Sequence, residues 1–257
     1  MMRRAALCAL TAAALLTGCA TAQRPDPLEP LNRKVFAFNE AVDEVVLKPA
    51  AQAYRAVLPS PAQLAVSNFF GNLKDAWSAV NLLLQGRIAD SLNDVMRVGT
   101  NTVFGFMGVM DIATELGFER HGEDFGQTLG RWGVSPGAYI VWPVLGPSTV
   151  RDSVGLPVDL LASPSSLVSS PALSNSMTAL NLVSTRAGAL SATNLLDDIA
   201  LDKYAFVRTA YLQRRRSLVY DGNPPDEDDD AALPPPAAAD APAAAPMPAA
   251  SAASAGH

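Results

Sequence analysis

The chain has 257 residues, of which 49% are hydrophobic and 17% are charged, and its 25 acidic against 19 basic residues give a net charge of −6 at neutral pH. An acidic balance of this size disfavours nucleic-acid binding, so no nucleic-acid partner is expected.

The first residues have the pattern of an export signal that ends in a lipidated cysteine. Arg3 and Arg4 precede an uncharged stretch over 5–16, which is too short to span a bilayer as a helix. Small residues then lead into Cys19, whose thiol is the group that a lipoprotein pathway acylates. We therefore predict that Cys19 is the lipidated mature N-terminus. The alternative is a buried cysteine behind an ordinary signal peptide.

The residue after this cysteine bears on localisation. Ala20 stands where an aspartate usually retains a lipoprotein at the inner membrane, so the protein is expected at the outer membrane, lipid-anchored on the periplasmic side. Cys8 leaves with the signal peptide and Cys19 is acylated, so no thiol pair remains to form a disulfide. The fold is therefore expected to depend on packing alone.

Composition divides the chain into four segments. A signal peptide over 1–18 and a lipidated linker over 19–25 precede one folded domain over 26–222, which is long enough to bury a core. Residues 223–257 combine an acidic run with a stretch of Ala, Pro and Ser, which cannot bury enough apolar surface to offset the entropy of ordering. This last segment is predicted to be a disordered tail.

The folded domain opens with a helical pattern. Apolar residues recur at alternating steps of four and three, namely Leu31, Val35, Phe38, Val42 and Val45. The pattern predicts a helix that Pro49 ends, with most of the apolar stripe facing the core.

Clear boundary signals frame the next helix. Ser60 and Pro61 supply a cap and a proline at the first helical position, and Gly86 supplies a stop. Between them lies an apolar stripe made of Leu73, Trp77, Val80 and Leu84.

The following helix has two contrasting faces. Its apolar face carries Ile88, Leu92 and Val95. Its polar stripe carries Asp90, Asp94, Arg97 and Asn101. Periodicity favours a solvated face for this stripe, and the alternative is the lining of an aqueous channel.

Three long stretches carry no charge, over 98–110, 132–150 and 160–185. None is predicted to be a transmembrane helix, because the first is only about 20 Å long as a helix and prolines interrupt the other two. They suit either a body partly sunk in one leaflet or a well-packed soluble core. Our hypothesis for the first stretch is contact with the bilayer through Val103, Phe104 and Phe106.

A last helix is predicted from about Asp202, with aromatic and apolar residues on one side at Tyr204, Val207 and Tyr211. It ends in a basic cluster over 214–216. Cations complement the dipole at a helix C-terminus, so no ligand is needed to explain this cluster.

The sequence offers little support for an enzyme. His121 is the only histidine before the tail, and neither a Gly-x-Ser-x-Gly elbow nor a His-Glu-x-x-His helix occurs. We therefore predict no catalytic residue, no metal site and no cofactor. His121 is interpreted as a solvated loop residue, with a phospholipase base as the alternative.

Glu123 and Asp124 are interpreted as a helix N-terminal pair, and Gly126 and Gly130 as points of close backbone approach.

The run from Glu123 to Val134 resembles the signature of the MlaA (VacJ) lipoproteins, which are phospholipid-transport proteins of the outer membrane. The resemblance covers about 26–222 in the family's order. Its further residues are Asp26, Pro27, Leu28, Glu29, Asn32, Arg33, Phe38, Asn39, Ser67, Asn68, Phe69, Gly71, Asn72, Pro143, Leu145, Gly146, Pro147, Ser148, Arg151, Asp152, Tyr204, Val207, Arg208, Ala210, Tyr211, Gln213 and Arg214. Ser135 and Pro136 depart from the pattern, since they stand where glycine is expected.

This resemblance implies an all-α fold, a single helical domain that forms a ring-like, partly membrane-embedded body with irregular loops. It also implies an amphipathic channel, through which misplaced phospholipid leaves the outer leaflet. The implied partners are phospholipids, a trimeric outer-membrane porin and a soluble periplasmic lipid carrier. The alternatives are a porin-associated structural lipoprotein without lipid passage, and a phospholipase.

Overall fold

The protein is described here from a computed structural model, which places residues 26–225. One compact unit extends to Asn223 and a second begins at Pro224. The predicted signal peptide, Cys19, the linker up to residue 25 and the tail from residue 226 lie outside the described residues.

Helices dominate the described residues, which confirms the all-α prediction. The elements are α1 (Glu29–Val42), a π-helical turn (Asp43–Leu47), α2 (Lys48–Val57), α3 (Ser60–Leu84), α4 (Ile88–Val103), α5 (Ile112–Glu115), α6 (Phe125–Arg131), β1 (Tyr139–Trp142), β2 (Gly146–Thr149), α7 (Val150–Leu161), a 3₁₀ turn (Pro164–Leu167), α8 (Pro171–Ile199) and α9 (Lys203–Val219). Within this range, no helix combines the length and apolarity needed to cross a membrane.

The prediction that Pro49 ends the first helix is wrong. The chain continues from α1 through the π-helical turn into α2, and Pro49 lies in the first turn of α2. A proline inside an α-helix would clash with the carbonyl four residues earlier. Here the helix widens just before it, so that the Lys48 N–H bonds to the carbonyl of Asp43, five residues back. This wider turn accommodates the proline.

The boundaries of α3 were predicted correctly. Pro61 lies in its first turn, but the predicted cap at Ser60 is wrong, because Pro59 occupies the N-cap position and Ser60 is the first helical residue. Gly86 follows the C-terminal end with a φ of 78°, a conformation that glycine adopts without strain. The reversal at Gly86 lets α4 pack along α3 as an antiparallel hairpin.

A short β-hairpin, which the sequence analysis did not predict, lies against α1. β1 and β2 are antiparallel, with Tyr139 opposite Thr149 and Trp142 opposite Gly146. Two asparagines on α1 bond to the free edge of β1. Asn32 bonds to the backbone of Tyr139 and Val141, and seven residues later Asn39 bonds to the carbonyl of Trp142 and the N–H of Val144. These side-chain amides replace the partner that an edge strand lacks.

Apolar clusters connect the remaining elements. Ala51 and Tyr54 of α2 pack against Ala187 and Leu190 of α8. A second cluster joins α1, β1 and α9. It contains Tyr139, Val141 and Tyr204, with Val35, Phe36, Tyr211 and Leu212 packed around them. The predicted start of α9 is confirmed, because the Asp202 side chain caps it by accepting from the Ala205 N–H.

Candidate functional site

The interface between α3 and α4 is polar, and we call it the polar core. Its buried side chains are Asp75, Ser78 and Asn81 of α3 and Ser91, Asp94, Arg97 and Asn101 of α4. They recur at steps of three and four residues, so they form one stripe on each helix. The solvated-face interpretation of the α4 stripe is therefore wrong for Asp94, Arg97 and Asn101. Asp90 is half-buried and pairs with Arg87 at 2.8 Å.

Arg97 is the centre of the polar core and has no exposed surface. Its Nε donates to Asp75 at 3.3 Å. One terminal nitrogen donates to the Phe118 carbonyl and the Thr114 hydroxyl, at 2.5 and 3.2 Å. The other donates to both carboxylate oxygens of Asp111, at 3.0 and 3.1 Å. Each of its three guanidinium nitrogens thus has at least one acceptor, as a buried guanidinium requires.

Asp111 connects the polar core to the loop that follows α4. Its carboxylate also accepts from the Asn101 amide at 3.0 Å and from the Thr114 hydroxyl at 2.7 Å. Partial burial raises its pKa, but the bonds from Thr114 and Asn101 and the charge of Arg97 outweigh that effect and lower the pKa to about 2. Asp111 is therefore ionised at neutral pH.

His121 is not the solvated loop residue that the sequence suggested. Its side chain is 14% exposed, and its Nδ1 lies 2.9 Å from the Asp94 carboxylate. This contact ties the loop before α6 to α4. Within the described chain, no serine hydroxyl is hydrogen-bonded to the ring.

The outer face of the α3–α4 hairpin is apolar and exposed. Leu83, Ile88, Leu92, Val95 and Met96 each have about half or more of their surface open. The usual arrangement of a globular protein, with apolar side chains inside, is inverted here. Exposed apolar patches on this scale mark an interface with another protein or with a membrane.

The last residue of α4 and the chain that follows it form an apolar tip over residues 103–110. Val103, Phe104 and Phe106 are 72%, 70% and 76% exposed, so the packed-core interpretation of this stretch is wrong. Phe106 and Met107 have φ angles of 51° and 59°, which are strained for residues with side chains. The tight course of the backbone also requires Gly105, where a Cβ would collide with the Met110 carbonyl. Contact between this tip and a bilayer remains a prediction.

The segment that carries the family-like motif packs two helices closely together. Asp124 caps α6 by accepting from the Gln127 N–H at 2.8 Å, as its predicted helix N-terminal role requires. A Cβ on Gly155 of α7 would lie 2.7 Å from the Gly126 nitrogen, so α6 and α7 touch through backbone. The expected close approach at Gly126 is thereby confirmed.

Glu123 does not act in the capping of α6. Its side chain is buried and accepts from Gln85 at 3.0 Å and from Arg87 at 3.2 Å. Burial raises the pKa of this carboxyl, in spite of the opposing effects of Gln85 and Arg87. Glu123 thus connects the α3–α4 turn to the start of α6.

The predicted basic cluster at the end of α9 has a structural role. Arg215 lies between Asp124 and Asp152, with its terminal nitrogens 2.5 and 2.9 Å from Asp124 and 2.8 Å from Asp152. Tyr211 donates to Asp152 at 2.9 Å. These bonds hold α9 against both α6 and α7.

A charged cavity of about 360 Å³ lies between α1, the π-helical turn, α8 and α9. Its acidic lining residues are Glu40, Asp43, Glu44 and Asp197. Its basic lining residues are Lys48, Arg186 and Lys203. Phe36, Leu196 and Val207 give it an apolar part. Charged and apolar groups therefore face the same space, which suits an amphipathic molecule.

This cavity could not be predicted from the sequence, because its charges come from distant segments. Arg186 of α8 pairs with Asp43, and these residues lie far apart in the chain. One signal was present, since Arg186 is the only charged residue between Asp159 and Asp197. A single cation in so long an uncharged stretch usually has a specific partner.

Comparison with known proteins places these features in context. The sequence matches the MlaA lipoprotein family over residues 24–218. It is 35% identical over 217 residues to the intermembrane phospholipid transport system lipoprotein MlaA of Escherichia coli (strain K12), covering 81% of this chain and 86% of that protein. It is 33% identical over 242 residues to the protein of the same name from Haemophilus influenzae, covering 86% and 93%.

Structural comparison agrees with the sequence comparison. A solved structure, described as the structural basis for maintenance of bacterial outer membrane lipid asymmetry, matches with a TM-score of 0.67 and 34% identity. The match covers 76% of this chain and all of that one.

Proposed function

The chain belongs to the MlaA lipoprotein family, and from that premise we propose that it removes misplaced phospholipids from the outer leaflet of the outer membrane. In this proposal the lipids pass through an amphipathic channel to a soluble periplasmic carrier, and the protein sits beside a trimeric porin. Its role is then to maintain the lipid asymmetry of the membrane.

The observation that carries the proposal is the inverted α3–α4 hairpin together with the apolar tip. Arg97 is buried in the hairpin, whereas Leu92 on its outer face and Phe104 and Phe106 in the tip are exposed. In water, such a surface would be costly, since each exposed large apolar side chain forgoes about 1.5–3 kcal/mol of burial. In a leaflet, the same side chains contact hydrocarbon. The exposed apolar side chains lie on the outer face, whereas the inner faces of α3 and α4 are polar and pair with each other, so seating of the outer face in one leaflet fits the hairpin best.

The charged cavity supports lipid passage as opposed to a purely structural role. A phospholipid headgroup that crosses hydrocarbon leaves its polar groups unpaired, whereas a polar lining solvates them. A protein with such a lining lowers the barrier and needs no catalytic step. The proposal accordingly assigns no enzymatic activity, and His121 serves to bind Asp94.

The proposed anchor is acylated Cys19. Asp26 lies seven residues later and accepts from the Tyr204 hydroxyl, from Arg208 at 3.2 Å and from Asn32 at 2.8 Å. Seven extended residues span at most roughly 25 Å. The acyl chains would therefore enter the membrane within that distance of the point where Asp26 binds α9.

The test is the amount of phospholipid in the outer leaflet of intact cells. A membrane-impermeant amine reagent labels outer-leaflet aminophospholipid in wild-type cells, in a deletion strain, and in the deletion strain carrying the wild-type or the Cys19→Ala protein. We expect labelling to rise on deletion, to return to the wild-type level with the wild-type protein, and to stay high with Cys19→Ala.

Other outcomes would assign another role. Unchanged labelling in the deletion strain, together with reduced porin trimer, would favour a structural lipoprotein. Release of fatty acid from vesicles by the purified protein would favour a phospholipase. Either result contradicts the proposal.

A further inference from the structure

The charges in the cavity are not all equivalent. Arg186 and Asp43 neutralise each other, because two guanidinium nitrogens lie 2.6 and 2.7 Å from the two carboxylate oxygens. Arg186 also donates to Thr193 at 3.0 Å. This pair is largely buried, so it holds the π-helical turn against α8 and is unavailable to a ligand.

Two lysines form looser pairs in the same cavity. Lys203 lies 2.7 Å from Asp197 and 3.3 Å from Glu40, and Lys48 lies 3.7 Å from Asp197. The side chains of Lys203, Asp197 and Glu40 are each about a third or more exposed, and that of Lys48 is 29% exposed. Ion pairs in contact with solvent are weak and exchange readily with other charged groups.

Glu44 is the charge that remains. It lines the cavity from the π-helical turn, and it makes no ion pair or side-chain hydrogen bond with another residue in the described part of the chain. With Arg186 and Asp43 paired, two lysines face three carboxylates, so Glu44 leaves the cavity with one uncompensated negative charge. π-helical turns are frequent at functional sites, where they direct side chains that a regular helix would not.

We propose that the cavity selects phospholipids with a zwitterionic, amine-bearing headgroup, with Glu44 binding the ammonium and Lys48 and Lys203 binding the phosphate. This inference rests on the proposed function. A zwitterionic headgroup carries a positive and a negative charge, and the cavity lining offers a partner for each. Its ammonium neutralises Glu44. An anionic headgroup brings only its phosphate and leaves Glu44 unpaired. Phe36, Leu196 and Val207 supply apolar contact for the glycerol and the upper acyl chains.

The experiment measures which lipid the full lipoprotein retains. Purified protein is equilibrated in detergent micelles that contain equal amounts of phosphatidylethanolamine and phosphatidylglycerol with the same acyl chains. Native mass spectrometry then counts the bound lipids by mass. We expect an excess of phosphatidylethanolamine of about threefold, the scale of one half-exposed ion pair.

Variants of one residue make the test specific. Glu44→Gln should bring the ratio of the two lipids to about one, and Glu44→Lys should favour phosphatidylglycerol. Because Glu44 is exposed and unpaired, neither change is expected to unfold the protein. Asp198→Asn is the matched control. It removes a carboxylate of α8 that does not line the cavity, so the ratio should stay at the wild-type value.

The outcomes separate this inference from the proposed function. Retention of both lipids at their bulk ratio by the wild-type protein would overturn the inference and leave the proposed function intact. So would a preference that Glu44→Gln does not change, because Glu44 would then not be its source. Retention of neither lipid would overturn both.

Discussion

At the scale of single residues, the polar core depends on complete pairing around Arg97. Removing one partner of a buried ion pair costs about 3–5 kcal/mol, because the other charge is then left without compensation. For Asp75, burial outweighs the charges of Arg120 and Arg97, so its pKa is raised. For Asp111, the hydrogen bonds and the charge of Arg97 outweigh burial, so its pKa is lowered to about 2.

The first prediction concerns Asp111→Asn. Asparagine still caps α5, so the substitution mainly removes the charge that Arg97 contacts. A carboxyl whose pKa is lowered on folding stabilises the protein above its ordinary pKa of about 4, and that contribution disappears as the pH falls to about 2. We expect Asp111→Asn to lower the melting temperature at pH 7 by several degrees, equivalent to about 1–2 kcal/mol.

The measurement is thermal melting in detergent, followed by circular dichroism, at pH 7, 4 and 2.5. The difference between the wild-type protein and Asp111→Asn should narrow as the pH falls through this window. Asp198→Asn is the control, because the Asp198 side chain is exposed and makes no ion pair or side-chain hydrogen bond in the described range. A difference that stays constant with pH would show that the charge of Asp111 is not the source of stability.

At the scale of elements, local signals predicted helix ends well. Pro61, Gly86 and Asp202 act through backbone conformation or a cap a few residues away, so neighbouring sequence contains the whole cause. Pro49 was misleading because the π-helical turn just before it accommodates the proline, and the contact that this turn makes through Asp43 is with Arg186, far along the chain. The β-hairpin was missed because its edge is completed by Asn32 and by Asn39, which follows it by two helical turns.

The second prediction tests the closest contact between elements. Gly155→Ala places a Cβ 2.7 Å from the Gly126 nitrogen and 3.0 Å from its Cα, so α6 and α7 must separate. Overpacking of this kind typically costs about 1–3 kcal/mol, so the melting temperature should fall by several degrees. Separation would also disturb the Arg215 bridge between Asp124 and Asp152.

Gly188→Ala is the matched control for this prediction. Gly188 lies inside α8, and a Cβ there meets no atom within 4 Å. Alanine is favoured over glycine in a helix by about 1 kcal/mol, so this variant should melt at the wild-type temperature or above it. Equal melting of both alanine variants would mean that α6 and α7 tolerate a methyl group between them.

At the scale of the whole molecule, the sequence predicted which residues share a face but not which face lies inside. Periodicity placed Asp94, Arg97 and Asn101 together, opposite Ile88, Leu92 and Val95, and the structure keeps that grouping. The prediction of a solvated polar face assumed that the other face packs against a protein core. An amphipathic helix has the same periodicity when its polar face is buried and its apolar face is exposed. The partners of Arg97 on α3 and on the loop after α4 are distant in sequence, and they show that the polar face is the buried one.

The last prediction concerns the apolar tip, which we expect to enter the membrane. Phe104→Asp and Phe106→Asp should melt like the parent protein in detergent, because both side chains are exposed and an aspartate there reaches water. Val103 is equally exposed, so Val103→Asp should behave in the same way. Leu82→Asp is the contrasting variant, since Leu82 is fully buried and an aspartate there should unfold the domain. Binding to liposomes is then measured by flotation of the chain without residues 1–19, so that neither the apolar signal segment nor the acyl chains float the protein by themselves. Each phenylalanine loses about 1.5–3 kcal/mol of apolar burial, so each phenylalanine variant should bind liposomes at least about tenfold more weakly than its parent. Tip variants that float as well as their parent, or that unfold like Leu82→Asp, would show that this segment is not seated in lipid.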